Sequence, residues 1–296
     1  MGRIDMLSQL ATIAADGVLI GLIYAIAGVG LSLVLGVMGI VNVAHSAFVM
    51  LGSFFAFELF RRLGVDPILS FFLAFPVFFL AGAVVYRLLI TRVERAAQTQ
   101  GLVAMFGLMV LLESLGTIAW TTDTRVITVG YTNTYLTVGP VTLVPVKLIA
   151  GALAVLLIAA FWLFLRSTLT GRAIRAMGQN RDAAIAVGVD VRQLATVMFG
   201  LGIACAGSAG VALAMIFPFS PNTQVLWLAW AFLVAILGGL GSVANTLAAG
   251  LLVGLIQTIG AAYLPFDYVY LILYLLLAAV MVLRREGLSR AIRRTI

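Results

Sequence analysis

The chain predicts an all-α fold, a polytopic transmembrane helical bundle of about eight to ten spans, and three observations predict it. Of its 296 residues, 63% are hydrophobic and 10% are charged, whereas a soluble domain is about 25% charged. Mean hydropathy is +1.18, and apolar runs of about 18 residues or more recur along the length, which is what crossing a bilayer requires. The basic residues are nearly all arginine, and most of them fall in three short segments between or after the apolar runs. All of this fits a single transmembrane domain over residues 1–296.

Taken in order, the apolar elements are 12–36, 41–60, 68–90, 101–121, 147–165, 193–214, 227–243, 246–264 and 268–283. Some of the nine are short enough to be half-helices. Residues 1–10 carry Arg3 and Asp5, with no small-residue cleavage site after a short apolar core, so the first run reads as a true span rather than a signal peptide. Gly17/Gly21 and Gly250/Gly254 are GxxxG pairs, expected to let helices approach closely. The segment 122–146, TDTRVITVGYTNTYLTVGPVTLVPV, is rich in Thr, Val and Tyr, with Gly130, Gly139, Pro140 and Pro145 as turn residues. It predicts short extended pieces on the outer surface, either a connector or a docking face for an external partner.

Orientation follows from the arginines. Arg87, Arg92 and Arg95 form the first cluster. Arg166, Arg172, Arg175, Arg181 and Arg192 form the second, and Arg284, Arg285, Arg290, Arg293 and Arg294 the third. With these spans all three fall on one side, which is therefore the cytoplasmic one, and an odd span count puts the N-terminus outside. The net charge of +7 is thus topological information and does not point to nucleic acid.

Chemistry is excluded more readily than assigned. His45 is the only histidine, Cys205 the only cysteine and Lys147 the only lysine. No multi-histidine metal site, no internal disulfide and no GxxxxGK[ST] phosphate loop can be built. Of the acids in or near apolar runs, Asp16 and Glu58 sit near span ends, and only Glu113 reads as deep. One deep acid supports an ion-coupled carrier poorly, and its other reading is an interhelical hydrogen bond.

Two stretches stand out. In 36–52, GVMGIVNVAHSAFVMLG, three polar residues Asn42, His45 and Ser46 interrupt an apolar run. They predict a break between two helices, with Gly36 and Gly39 loosening the first and the three polar side chains satisfying freed backbone groups. Lining a translocation path is the compatible alternative. The stretch has an ungapped echo at 238–254, GGLGSVANTLAAGLLVG, with a glycine-rich break ahead of Asn245. Interrupted segments repeated in two halves point to a transport site. The second stretch is the loop 166–192. A short helix over 171–178 carries Arg172 and Arg175, and Asn180 N-caps a second helix. Asp182 lies in that helix's first turn, next to Arg181, and Gly188 ends it. The loop is either a helix shaped for a partner's groove or a plain positive-inside connector.

These stretches resemble a known family. GLIYAIAGVGLSLVLGVMGIVNVAHSAFVMLG (21–52) is similar to the N-terminal signature of LivH-type permeases, with Ser46 where that family's NxAHG pattern has glycine. GRAIRAMGQNRDAAIAVGVDV resembles the family's cytoplasmic loop, and AILGGLGSVANTLAAGLLVG its glycine-rich C-terminal segment. The likeness implies an ATP-binding-cassette (ABC) importer permease for leucine, isoleucine or valine in the bacterial inner membrane. It also implies a second homologous permease, two cytoplasmic ATPase subunits that bind ATP and Mg, and a periplasmic binding protein. This chain would then be no enzyme and hold no cofactor, and its loop 166–192 would couple to the ATPases through Arg172, Arg175, Asn180, Arg181 and Asp182. Urea and short-amide permeases share the signature and are the alternative substrates. An ion-coupled secondary transporter is the alternative of a different class.

Overall fold

The computed structural model describes residues 2–93, 98–132, 134–139 and 141–283; Arg95 and the arginines from 284 onward lie outside them. The helices are α1 (Gly2–Met38), α2 (His45–Leu63) and α3 (Pro67–Val85), the last continuing through a π-helical stretch (Tyr86–Ile90) into the single turn α4 (Thr91–Val93). Next come α5 (Gln98–Trp120), the strands β1 (Leu136–Val138) and β2 (Val141–Leu143), and α6 (Pro145–Ser167). Then follow α7 (Leu169–Gln179), α8 (Arg181–Ala186), α9 (Val191–Ala214), a 3-10 turn (Pro221–Thr223), α10 (Gln224–Gly238), α11 (Val243–Tyr263) and α12 (Phe266–Leu283).

Seven helical segments are long and apolar enough to cross a membrane: α1, α3 with its extension, α5, α6, α9, α10 with its preceding turn, and α11. α12 is apolar but shorter, and the 19-residue α2 carries Glu58, Arg61 and Arg62 near its end. Every expected apolar element is therefore a helix. The second starts four residues later than its apolar run, because residues 41–44 belong to a turn. The run 227–243 stops at Gly238, because Gly239 and Gly241 have φ of 84° and 85°, which an α-helix does not accommodate.

α9 is the axis of the bundle. All of its residues from Met198 to Ala214 are buried, and α1, α2 and α3 surround it. A largely apolar helix can be enclosed this way in lipid only if its neighbours pack at backbone distance, since lipid is as apolar as the core and provides no hydrophobic drive. The longest seam joins α1 to α11, and there the two GxxxG pairs meet each other. A Cβ on Gly21 would lie 2.7 Å from Gly250 O and 2.7 Å from Leu251 Cα, and one on Gly17 would lie 3.0 Å from Leu255 Cα. α5 touches the bundle mainly along α2 and leaves Val103, Phe106 and Ile118 exposed.

The segment 122–146 holds the extended pieces its composition predicts. β1 and β2 form an antiparallel pair, with Thr137 opposite Thr142, and Arg125 bridges to Phe219. Tyr131 donates its hydroxyl to Asp66 Oδ1 (2.8 Å), and the same oxygen accepts from Ile68 N and caps α3. Partial burial, and then the neighbouring Asp66 carboxylate, push the Tyr131 phenol well above its ordinary range. This clasp therefore keeps its proton throughout the neutral range.

Candidate functional site

The predicted break between α1 and α2 is present. Met38 ends α1, and Gly39 takes φ 69° while its N–H returns to Leu35 O (3.0 Å). His45 N donates to Asn42 O (3.3 Å) before α2 begins. Gly36 does not loosen the helix. It lies within α1, where it leaves room for Leu240 and Gly241 to pack against the backbone. From Leu63 back to His45, α2 rises roughly 27 Å at about 1.5 Å per residue. The break therefore stands a full helix length from the Arg61 and Arg62 end of α2.

The three polar residues there are fully buried and play different parts. His45 donates from Nε2 to Ala27 O on α1 (3.0 Å); a carbonyl only accepts, so this contact fixes the tautomer. Gly30 makes space for the ring, since a Cβ there would stand 3.2 Å from His45 Cε1 and 2.8 Å from Cys205 Cβ on α9. The imidazole thus sits where α1, α2 and α9 meet, enclosed within this one chain. Ser46 Oγ donates to Val43 O (3.4 Å) and satisfies a carbonyl of the turn. Asn42 departs from expectation: neither its Oδ1 nor its Nδ2 has a protein partner among the described residues. The N-cap of α2 is Ala44, without a side-chain cap.

The echo at 238–254 is a second break between helices. Gly241 adopts the same left-handed backbone as its counterpart Gly39, and Ser242 caps α11 by accepting from Asn245 N (3.4 Å). Ser32, which the sequence reading did not single out, ties this break to α1. Its carbonyl and its hydroxyl both accept from Gly241 N (3.1 and 3.0 Å). Its hydroxyl also donates to Gly239 O (3.3 Å) and meets Thr246 Oγ1 (3.3 Å). The available signal was a serine inside an apolar run, with a glycine-rich turn elsewhere left without partners.

The loop 166–192 folds as the sequence predicts. Gly171, Ile174 and Met177 bury one face of α7, and Arg172 and Arg175 are exposed on the other. Asn180 Oδ1 accepts from Ala183 N (3.0 Å), and Asp182 occupies the first turn of α8 beside the exposed Arg181. Gly188 has φ 85°, and Val189 N closes the helix onto Ala184 O (3.0 Å). Only Ala184 of α8 is buried, while Ile185 and Val187 are 53% and 79% exposed. The turn therefore holds an apolar tip out from the bundle, on a capped helix flanked by Arg181.

The structure keeps this turn apart from His45 but links it to the α1–α2 break by two paths. α7 packs on the end of α1, with Gly178 against Val37. α8 leads through Asp190, which caps α9 by accepting from Gln193 N (3.0 Å), into the axial helix that α2 rides on. Of the acids in or near the apolar runs, Asp16 and Glu58 are engaged. Asp16 pairs with Lys147 (2.7 Å), and Glu58 holds Arg61, Arg62 and Trp120 Nε1. Glu113 is half-buried on the peripheral α5. Among the described residues no three metal-ligating side chains cluster.

Residues 13–281 match the family described as branched-chain amino acid transport system / permease component. The high-affinity branched-chain amino acid transport system permease protein LivH of Escherichia coli K12 is 25% identical over 292 residues, covering 92% of this chain and 93% of that protein. BraD of Pseudomonas aeruginosa, with the same description, is 25% identical over 289 residues with the same coverage. A probable LivH of Methanocaldococcus jannaschii is 26% identical over 240 residues, 79% of this chain and 76% of that one. No solved structure gives a significant match. A family match across nine-tenths of the chain, on a multi-pass helical bundle with two helix breaks and an exposed apolar turn, makes this protein a member of the branched-chain amino acid permease family.

Proposed function

We propose that this permease carries leucine, isoleucine, valine or related aliphatic amino acids across the bacterial inner membrane as one subunit of an ABC importer. Two separate cytoplasmic ATPase subunits bind ATP and Mg and supply the energy, a second homologous permease completes the membrane part, and a periplasmic binding protein delivers substrate to the far face. On this reading ATP and Mg belong to the partner subunits and this chain needs no cofactor of its own. The observation that carries the reading is the α7–α8 turn, with Ile185 and Val187 projecting at the arginine-rich end, which the positive-inside rule makes cytoplasmic.

In this mechanism ATP binding moves the ATPases, which push α8. The push passes along two routes: through α9 to α2, and through α7 to the end of α1. Both routes end at the α1–α2 break, where the left-handed Gly39 absorbs a change of angle without unwinding a long helix, and Ser32 on α1 ties the α10–α11 break to it. His45 and Ser46 hold the first break rather than bind substrate. The fully buried polar side chains among the described residues are Ser, Thr, Asn, Gln and His, with no Asp, Glu, Lys or Arg. A core without buried charge suits a zwitterion that must leave as readily as it enters, which supports a reading in which selectivity lies in the binding protein. The test is uptake into proteoliposomes holding the assembled transporter. ATP-dependent leucine accumulation is expected. Uptake by this chain alone, or accumulation of urea but no amino acid, would overturn the reading.

A further inference from the structure

Beneath the α10–α11 turn the bundle opens into a cleft of about 570 Å³, within the range of small-molecule sites. Its inner wall is apolar, built from Leu33, Val37, Leu165 and Ile174. Two arginines from different helices line it, Arg166 at the end of α6 and Arg175 on α7. Arg166 stacks over the Trp162 ring at 4.9 Å, and among the described residues no carboxylate pairs with either arginine. Two uncompensated cations beside a low-dielectric wall repel each other and attract an anion. The planar guanidinium fork matches phosphate oxygens in particular.

The surface above the cleft indicates which phosphate. Val155, Ala159, Trp162 and Arg166 follow at helical spacing and form one exposed stripe along α6. The stripe runs from the apolar middle of the helix to an aromatic and then a cation, the order found from acyl chain to headgroup in a bilayer leaflet. A soluble anion would use the arginines and leave the stripe idle. We propose that this cleft is a binding site for an anionic phospholipid, with its headgroup phosphate between Arg166 and Arg175 and an acyl chain along Val155 and Ala159. The bound lipid ties α6 and α7 to the α10–α11 turn, so it braces the break against which the coupling helices work. Arg175 is shared with the coupling loop, so lipid binding is measured on the chain without substrate or ATPases.

The experiment is native mass spectrometry of the purified full chain, equilibrated with phosphatidylglycerol against phosphatidylcholine. Wild-type protein is expected to retain phosphatidylglycerol preferentially. R166Q is expected to lose about fivefold in retention and R166Q/R175Q roughly thirtyfold. R87Q/R92Q removes the same charge from the same end, away from the cleft, and is expected to retain lipid normally. Equal losses in both double variants would mean diffuse surface attraction and overturn the proposal. Displacement of the lipid by soluble glycerol phosphate would identify a free-anion site, and equal retention of diacylglycerol would identify an apolar contact alone; either result overturns it. The R166Q single variant keeps the comparison usable should the double variant misfold.

Discussion

Replacing Gly21 by alanine tests the seam on which the architecture rests. The new Cβ would stand 2.7 Å from both Gly250 O and Leu251 Cα, about 0.7 Å short of ordinary contact at 3.4 Å. Both obstructing atoms are backbone, so no rotamer change relieves them, and α1 and α11 must separate or bend. Overpacking of this kind costs about 1–3 kcal/mol. At roughly 2–4 °C per kcal/mol for a chain of comparable size, that lowers Tm by roughly 2–12 °C. Separation at Gly21 also strains the seam toward Ser32 and Gly241, whose hydrogen bonds at 3.0–3.1 Å have little slack. Transport should therefore fall with stability. The assay is thermal unfolding of the purified protein beside G107A, which adds the same methyl where nothing lies within 4 Å. G107A should match or slightly exceed wild type, because alanine favours helix. If G21A melts together with G107A, the reading of this seam as a backbone-to-backbone contact is wrong.

The remaining predictions concern coupling and His45. Asn180→Ala removes the cap of α8 and costs that turn about 1 kcal/mol; transport-coupled ATPase activity should drop while membrane insertion stays normal. Arg175→Glu and Asp182→Arg should do the same, and an unchanged ATPase response in both would exclude a coupling role for this loop. Ile185→Asp should weaken co-purification with the ATPase subunits without lowering the chain's own Tm, because the side chain is 53% exposed. His45→Gln keeps an N–H donor for Ala27 O and should leave the pH profile of uptake superimposable on wild type, whereas His45→Leu loses a hydrogen bond worth about 0.5–1.5 kcal/mol. A pH profile shifted by His45→Gln would instead make His45 a proton carrier.

What the sequence determined by itself was local. Runs of apolar residues set the helices, because a bilayer leaves the backbone no other partner than itself. Asn180, Asp182 and Gly188 set the caps of α8, because capping is settled within four or five residues of chain. The turn residues of 122–146 likewise set its extended pieces. The tertiary structure decided whatever depended on who lies opposite. That Gly17/Gly21 meet Gly250/Gly254 rather than lipid, that Gly36 accommodates a neighbouring turn rather than loosening its own helix, and that Ser32 holds the second break are facts about residues some 200 positions apart. His45 shows the division most directly. Its presence in an apolar run demanded a partner, but only the packing of α1 and α9 around α2 made that partner the Ala27 carbonyl, inside the chain, because a buried polar group takes whichever acceptor the fold brings within about 3 Å.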